Sequence, residues 1–256
     1  MCGEVAVAVQ KATRALLDCG LQLAEEVISE DVKADELRAD AEAKAFALLA
    51  LQAPEATDLR IVMATIHAAG DIERIGDLAL HVAQAARRRH PHPVLPGEIK
   101  PDFTEMGRVG VALAVKAGEV IRGRDLATAE LETDDDAMDA LHRHMFTVLM
   151  DRNWTYRVAA AVDVTLLAPF YERYADHAVS VARRIIYVIT GQMPGTGRRC
   201  GPCWKRWGDN PSSPPSPAGG GAPLCRAPTP ASRSRRRPVV LCALQGLRHS
   251  AESAEM

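Results

Sequence analysis

Two copies of one short acidic pattern, ninety-nine positions apart, constrain this chain more than anything else in it. Asp71-Ile72-Glu73-Arg74-Ile75-Gly76-Asp77 is answered by Tyr171-Glu172-Arg173-Tyr174-Ala175-Asp176, and each copy reads Glu-Arg-x-x-Asp. On a helix the two carboxylates of a copy lie one above the other on the same face, where like charges cost roughly 0.2–0.5 kcal/mol. A cation or an arginine partner reverses that cost. The same shift pairs Ala79 with Ala178, Val82 with Val181 and Ala83 with Ala182, and it sets Gly70 against Pro169. The register predicts an internal duplication in helical sequence, with a bend beside each acidic pair, because Pro removes a backbone hydrogen bond and Gly loosens the same place.

The rest of the chain reads as helices around these two. Val5, Val9, Ala12 and Leu16 recur at helical spacing from Met1 to about Asp18, and Cys19-Gly20 reads as the stop. A second helix is expected over 21–52, with Leu23, Val27, Leu37, Phe46, Leu48 and Leu49 as core candidates, ended by Pro54. A third, from about Glu55 or Thr57 to Arg89, carries the first acidic pair. The Pro/His-rich stretch 91–100 is a linker, since Pro at this density cannot continue a helix. Three more helices follow, over about 103–122, 126–151 and 154–190, the last carrying the second pair. The expected fold class is all-α: two tandem three-helix bundles, over 1–90 and 101–192. Aromatics at 4% and an Ala-, Leu- and Val-rich apolar share favour close-packed helices over sheets.

The tail differs in kind. Residues 193–256 hold most of the Pro- and Gly-rich sequence and are expected to be disordered, since a run such as 211–221 cannot bury enough apolar surface to fold. Residues 195–256 carry ten Lys/Arg against three Asp/Glu, so the remainder is acidic and nucleic acid is an unfavourable partner for it. Cys200-Gly201-Pro202-Cys203 has redox-dithiol spacing but lacks the strand and helix that would depress a thiol pKa, and it is read as coincidence. The cluster Arg233 to Arg237 is assigned no role. No apolar run reaches transmembrane length and no secretory leader is evident, so the expected location is the cytoplasm.

Two further acidic clusters, Asp31 with Asp35 and Asp135 with Asp139, both read Asp-x-x-x-Asp-x-Leu at an offset of 104. The second repeat therefore lacks about five residues between its second and third helices. In an antiparallel three-helix arrangement these pairs face Glu73 with Asp77 and Glu172 with Asp176, making an oxygen-rich site for a hard or borderline cation. The alternative for Asp31, Asp35, Asp135 and Asp139 is a solvated outer face. A di-metal carboxylate oxidase or storage bundle needs Glu-x-x-His on two helices, which these helices lack. A purely structural scaffold is the other alternative.

These residues resemble the PhoU family of bacterial phosphate-transport accessory and regulatory proteins. The resemblance covers about residues 1–192 and rests on the two Glu-x-x-x-Asp motifs and on Leu51-Gln52-Ala53-Pro54-Glu55-Ala56-Thr57-Asp58-Leu59-Arg60, which is similar to the family's entry into its third helix. The linker and the Asp135-Asp136-Ala137-Met138-Asp139 segment are similar to the actinobacterial branch. The resemblance implies paired three-helix bundles, an iron or zinc cluster on the carboxylate motifs, and homodimers. It implies no catalytic turnover. It further implies an adaptor that couples the phosphate ABC transporter to a sensor histidine kinase and negatively regulates phosphate uptake and starvation signalling.

Overall fold

The computed structural model describes residues 1–123, 128–152 and 154–191. The tail from 193 onward, with Cys200 and Cys203, lies outside the described residues. Six helices follow in order: α1 (Cys2–Asp18), α2 (Leu21–Gln52), α3 (Thr57–Arg89), α4 (Lys100–Gly123), α5 (Thr128–Leu149) and α6 (Val158–Thr190). There is no strand among the described residues.

Local chemistry explains the boundaries. In α1 the apolar stripe Val5, Val9, Ala12 and Leu16 is buried throughout. That helix ends where Cys19 turns left-handed at φ 57, its N–H bonding the Ala15 carbonyl, and Gly20 starts α2. A left-handed non-glycine costs roughly 1–2 kcal/mol, which the capping bond offsets. Both motif helices run unbroken through their expected weak points, α3 through Gly70 and α6 through Pro169. The missing residues of the second repeat fall at the end of α5, which stops at Leu149, equivalent to Ala45, whereas α2 runs on to Gln52.

Helices α1–α3 pack on one another, as do α4–α6, and the two bundles join through α1 on α4 and α3 on α6. Equivalent helices therefore meet, and they meet antiparallel. Thr13 faces Gly107 while Cys2 faces Gly118, and Asp71 reaches His177 and Arg184 while Arg89 pairs with Asp163. Shifting the Arg89–Asp163 pair by the repeat offset yields Ala64 and Val188, which line one small apolar hollow between α3 and α6. This is a local two-fold between the repeats. One apolar core runs through both bundles and includes Leu16, Ile72, Phe103, Leu113, Tyr171 and Tyr174.

Close approach of α1 to α4 depends on small residues. A Cβ on Gly107 would sit 2.6 Å from Thr13 Cγ2, and one on Gly118 would sit 3.0 Å from Cys2 Cβ. The two buried tyrosines of α6 bond back to α1. The Tyr171 hydroxyl shares a 2.9 Å hydrogen bond with Thr13 Oγ1, and the Tyr174 hydroxyl donates to the Val5 carbonyl at 3.2 Å. Burial pushes both phenols well above the ordinary tyrosine range, so both stay neutral, and each ring contributes about 1.5–3 kcal/mol by leaving water.

The outer helix α2 departs from expectation. Phe46, expected in the core, is exposed, and its neighbour Ala45 is buried instead. Helix α2 buries Ala24, Val27 and Ala45 and packs Leu23, Ile28 and Leu37 partly against the core, while the Phe46 ring stays outside.

Candidate functional site

The first acidic site forms where α2 crosses α3. Ala34 Cβ lies 3.6 Å and Asp31 Oδ1 3.7 Å from where a Gly76 Cβ would be, so α2 lies on α3 beside Asp77 with room at Gly76 for a methyl at van der Waals contact. Burial raises the Asp31 pKa above the usual carboxylate range, and the neighbouring charges of Asp77, Asp35 and Glu73 raise it further, against His81. Glu73 and Asp77 of α3, and Asp35 one turn on in α2, thus each repel Asp31, while Asp35 itself is exposed.

Two arginines offset that repulsion. Arg38 Nη1 lies 3.2 Å from Glu73 Oε2 and Arg38 Nε donates to Glu42 at 3.0 Å. Arg74 Nη1 donates to Asp77 Oδ2 at 2.7 Å. Glu73 is buried at 8% exposure. Its Oε2 forms ion pairs with Arg38 and, at 3.8 Å, with Arg74 Nε, neither with hydrogen-bond geometry, and is a buried acceptor without a hydrogen bond. Such an atom draws a cation or a donor. Among the described residues no three His, Cys, Asp or Glu side chains converge closely enough to enclose a metal as they stand.

The second site occupies the equivalent place between α5 and α6. Asp135 is buried, while Asp139, Glu172 and Asp176 are half-buried. The repeats therefore differ: the glutamate is the deep carboxylate of the first site, and an aspartate of the outer helix is the deep one of the second.

Sequence reasoning passed over a third cluster. Asp71 Oδ2 accepts from Arg184 Nε at 2.7 Å, and its Oδ1 lies 3.1 Å from His177 Nδ1, tying α3 to α6 between the two acidic sites. Burial alone would raise the Asp71 pKa, but the bonds to His177 and Arg184 outweigh it and hold the carboxyl below the usual range. The repeat register hides this residue, because the position equivalent to Asp71 is Phe170.

Comparison with known proteins now applies. The family described as PhoU domain matches residues 1–86 and 103–185, one segment for each bundle.

The chain belongs to the PhoU domain family.

Its similarity extends to curated relatives. The phosphate-specific transport system accessory protein PhoU homolog 2 of Mycobacterium tuberculosis is 57% identical over 195 residues, covering 76% of this chain and 92% of that protein. PhoU homolog 1 of Mycobacterium leprae is 55% identical over 195 residues, covering 76% and 88%. The likeness thus lies with actinobacterial PhoU proteins. The crystal structure of PhoU from Pseudomonas aeruginosa matches with a TM-score of 0.66 at 23% identity, covering 75% of this chain and 93% of that one. That likeness establishes the shared PhoU fold.

Proposed function

We propose that this PhoU-domain chain is a non-catalytic accessory protein of phosphate transport. It would bind the phosphate ABC transporter and a sensor histidine kinase, and negatively regulate phosphate uptake and starvation signalling. One observation carries the reading: 57% identity across 92% of a mycobacterial protein named as a phosphate-specific transport accessory protein. No described helix is long and apolar enough to cross a membrane, which suits a chain that reaches a transporter by binding it.

The carboxylate sites fit the adaptor reading through metal binding. Their donors are all oxygen, and Glu73 Oε2 supplies a buried acceptor without a hydrogen bond. That set suits a hard or borderline divalent cation, and iron or zinc is what the PhoU resemblance implies. In the first repeat Asp31, Asp35, Glu73 and Asp77 would hold it, once Arg38 and Arg74 turn aside. In the second, Asp135, Asp139, Glu172 and Asp176 would do so. A bound cation would neutralise the like charges and stiffen each bundle; without it, the same faces would present acidic surface to a basic partner. A homodimer at the cytoplasmic face of the membrane completes the proposal.

The test is a pull-down with the full chain from cells grown in plentiful and in scarce phosphate. Recovery of transporter subunits or the sensor kinase, with a yield that changes with phosphate, supports the adaptor. Recovering neither under either condition, with a folded helical bait, overturns it in favour of a structural scaffold.

A further inference from the structure

The corner where α5 turns into α6 is built differently from its counterpart in the first repeat. Three exposed apolar positions recur by the repeat offsets: Phe46 with Met150, Leu59 with Val158, and Met63 with Val162. Apolar side chains left in water at equivalent places in both halves have no account in the packing of either bundle. In the second corner they are at their most exposed, Met150 at 85% and Val158 at 79%. The stripe continues along α6 through Leu166 and is joined on α5 by Phe146. The stretch 158–170 carries a single charge, Asp163, which Arg89 already engages.

The charges around the two corners diverge. Asp58 at the first corner becomes Arg157 at the second by the same offset, and Leu48 becomes Arg152. Arg143, Arg152 and Arg157 are all exposed, as is Arg88 at the end of α3, which lies at the same end of the molecule. Trp154 and Tyr156 stack edge to face between the two helices, with ring centroids 5.2 Å apart. Trp154 packs against the core with its Nε1 buried and so seats the corner, while the exposed apolar side chains and the arginines around it match a membrane–water interface, where arginines meet anionic lipid. The first corner carries Glu55 and Asp58 beside Leu59, whereas at the second Asp151 and the Glu98 beside Tyr156 are outnumbered by Arg143, Arg152 and Arg157.

We propose that the α5–α6 corner docks this chain directly onto an anionic lipid surface through Met150, Val158 and Val162, with Arg152 and Arg157 on the headgroups. The inference is independent of which transporter or kinase the chain binds.

The test is co-sedimentation of the full chain with vesicles of phosphatidylcholine alone and of phosphatidylcholine with phosphatidylglycerol. The chain carries Arg233→Gln, Arg235→Gln, Arg236→Gln and Arg237→Gln throughout, which removes four of the ten basic residues of 195–256 and its arginine cluster, and the corner variants report what the rest of the tail cannot. Binding is expected with the anionic vesicles only, weakening as salt rises. Arg152→Ala with Arg157→Ala is expected to lower the partition coefficient about 25-fold, roughly fivefold per arginine. Val158→Asp is expected to abolish binding, while Leu59→Asp, at the equivalent position, leaves it unchanged. Three results would overturn the proposal: no binding to anionic vesicles, equal binding to neutral ones, or equal loss in the Leu59 and Val158 variants. A change of oligomeric state in Val158→Asp without vesicles, together with unaltered lipid binding in the arginine variant, would reassign the corner to contact between copies of this chain.

Discussion

Arg38 Nη1 stands 3.2 Å from Glu73 Oε2, so the deepest carboxylate of the first acidic site is countered by a cation from the neighbouring helix. Removing that cation leaves Glu73 buried with only the Arg74 Nε, at 3.8 Å, to compensate it. Arg38→Ala is expected to destabilise the chain by about 1–2 kcal/mol, below the range for fully buried pairs because the Arg38 side chain is 37% exposed. Glu73→Gln in the same background should recover part of the loss. Urea unfolding measures both, and a neutral Arg38→Ala would show that the pair contributes nothing.

Two helix glycines, Gly107 at the contact of α1 with α4 and Gly70 within α3, should respond to alanine in opposite directions. Gly107→Ala places a Cβ 2.6 Å from Thr13 Cγ2 and should cost about 1–3 kcal/mol. Gly70→Ala meets nothing within 4 Å inside a continuous helix and should stabilise by about 0.5–1 kcal/mol. Thermal unfolding of the two variants separates them by sign.

Asp71 and Asp31 give opposite pH dependences. The folded pKa of Asp71 is depressed, so its stabilisation is present above its unfolded pKa of about 3.9 and is lost as pH falls through the lower folded value. Asp71→Asn should therefore destabilise at pH 7, and the difference from wild type should shrink below about pH 4. The folded pKa of Asp31 is raised, so its charge opposes folding once pH exceeds the unfolded value. Asp31→Asn should stabilise at pH 7 and have no effect in acid. Unfolding free energies of the three proteins from pH 3 to pH 7 check both signs.

Metal content tests the carboxylate sites. Asp77→Asn and Asp176→Asn should each lower the iron or zinc bound per chain, read by elemental analysis, with helical circular dichroism retained. Unchanged metal in both variants would remove the metal assignment and leave the acidic surface as the sites' role.

The helices and their duplication were legible because each rests on spacing along the chain. The stripe Val5, Val9, Ala12 and Leu16 marked a buried face, and the shared offset of Glu73 with Glu172 and Asp77 with Asp176 marked two related sites. Phe46 shows the limit of that method. Hydrophobicity placed it inside, yet α2 buries the neighbouring Ala45 instead and leaves the ring in water. Asp71 shows the other limit, since its partners are more than a hundred positions away and its equivalent in the other repeat is Phe170.

By itself the sequence determined six helices, a duplicated acidic pair on two of them and the PhoU resemblance, because periodicity and repeat offsets are properties of a single strand of residues. Tertiary structure decided that equivalent helices meet antiparallel around one core. It also decided that Arg38 reaches Glu73, and that Asp71 bridges α3 and α6. Those outcomes depend on which faces come within a few ångströms of one another. Burial then sets the strength of every charge involved, by deciding how much water remains around it.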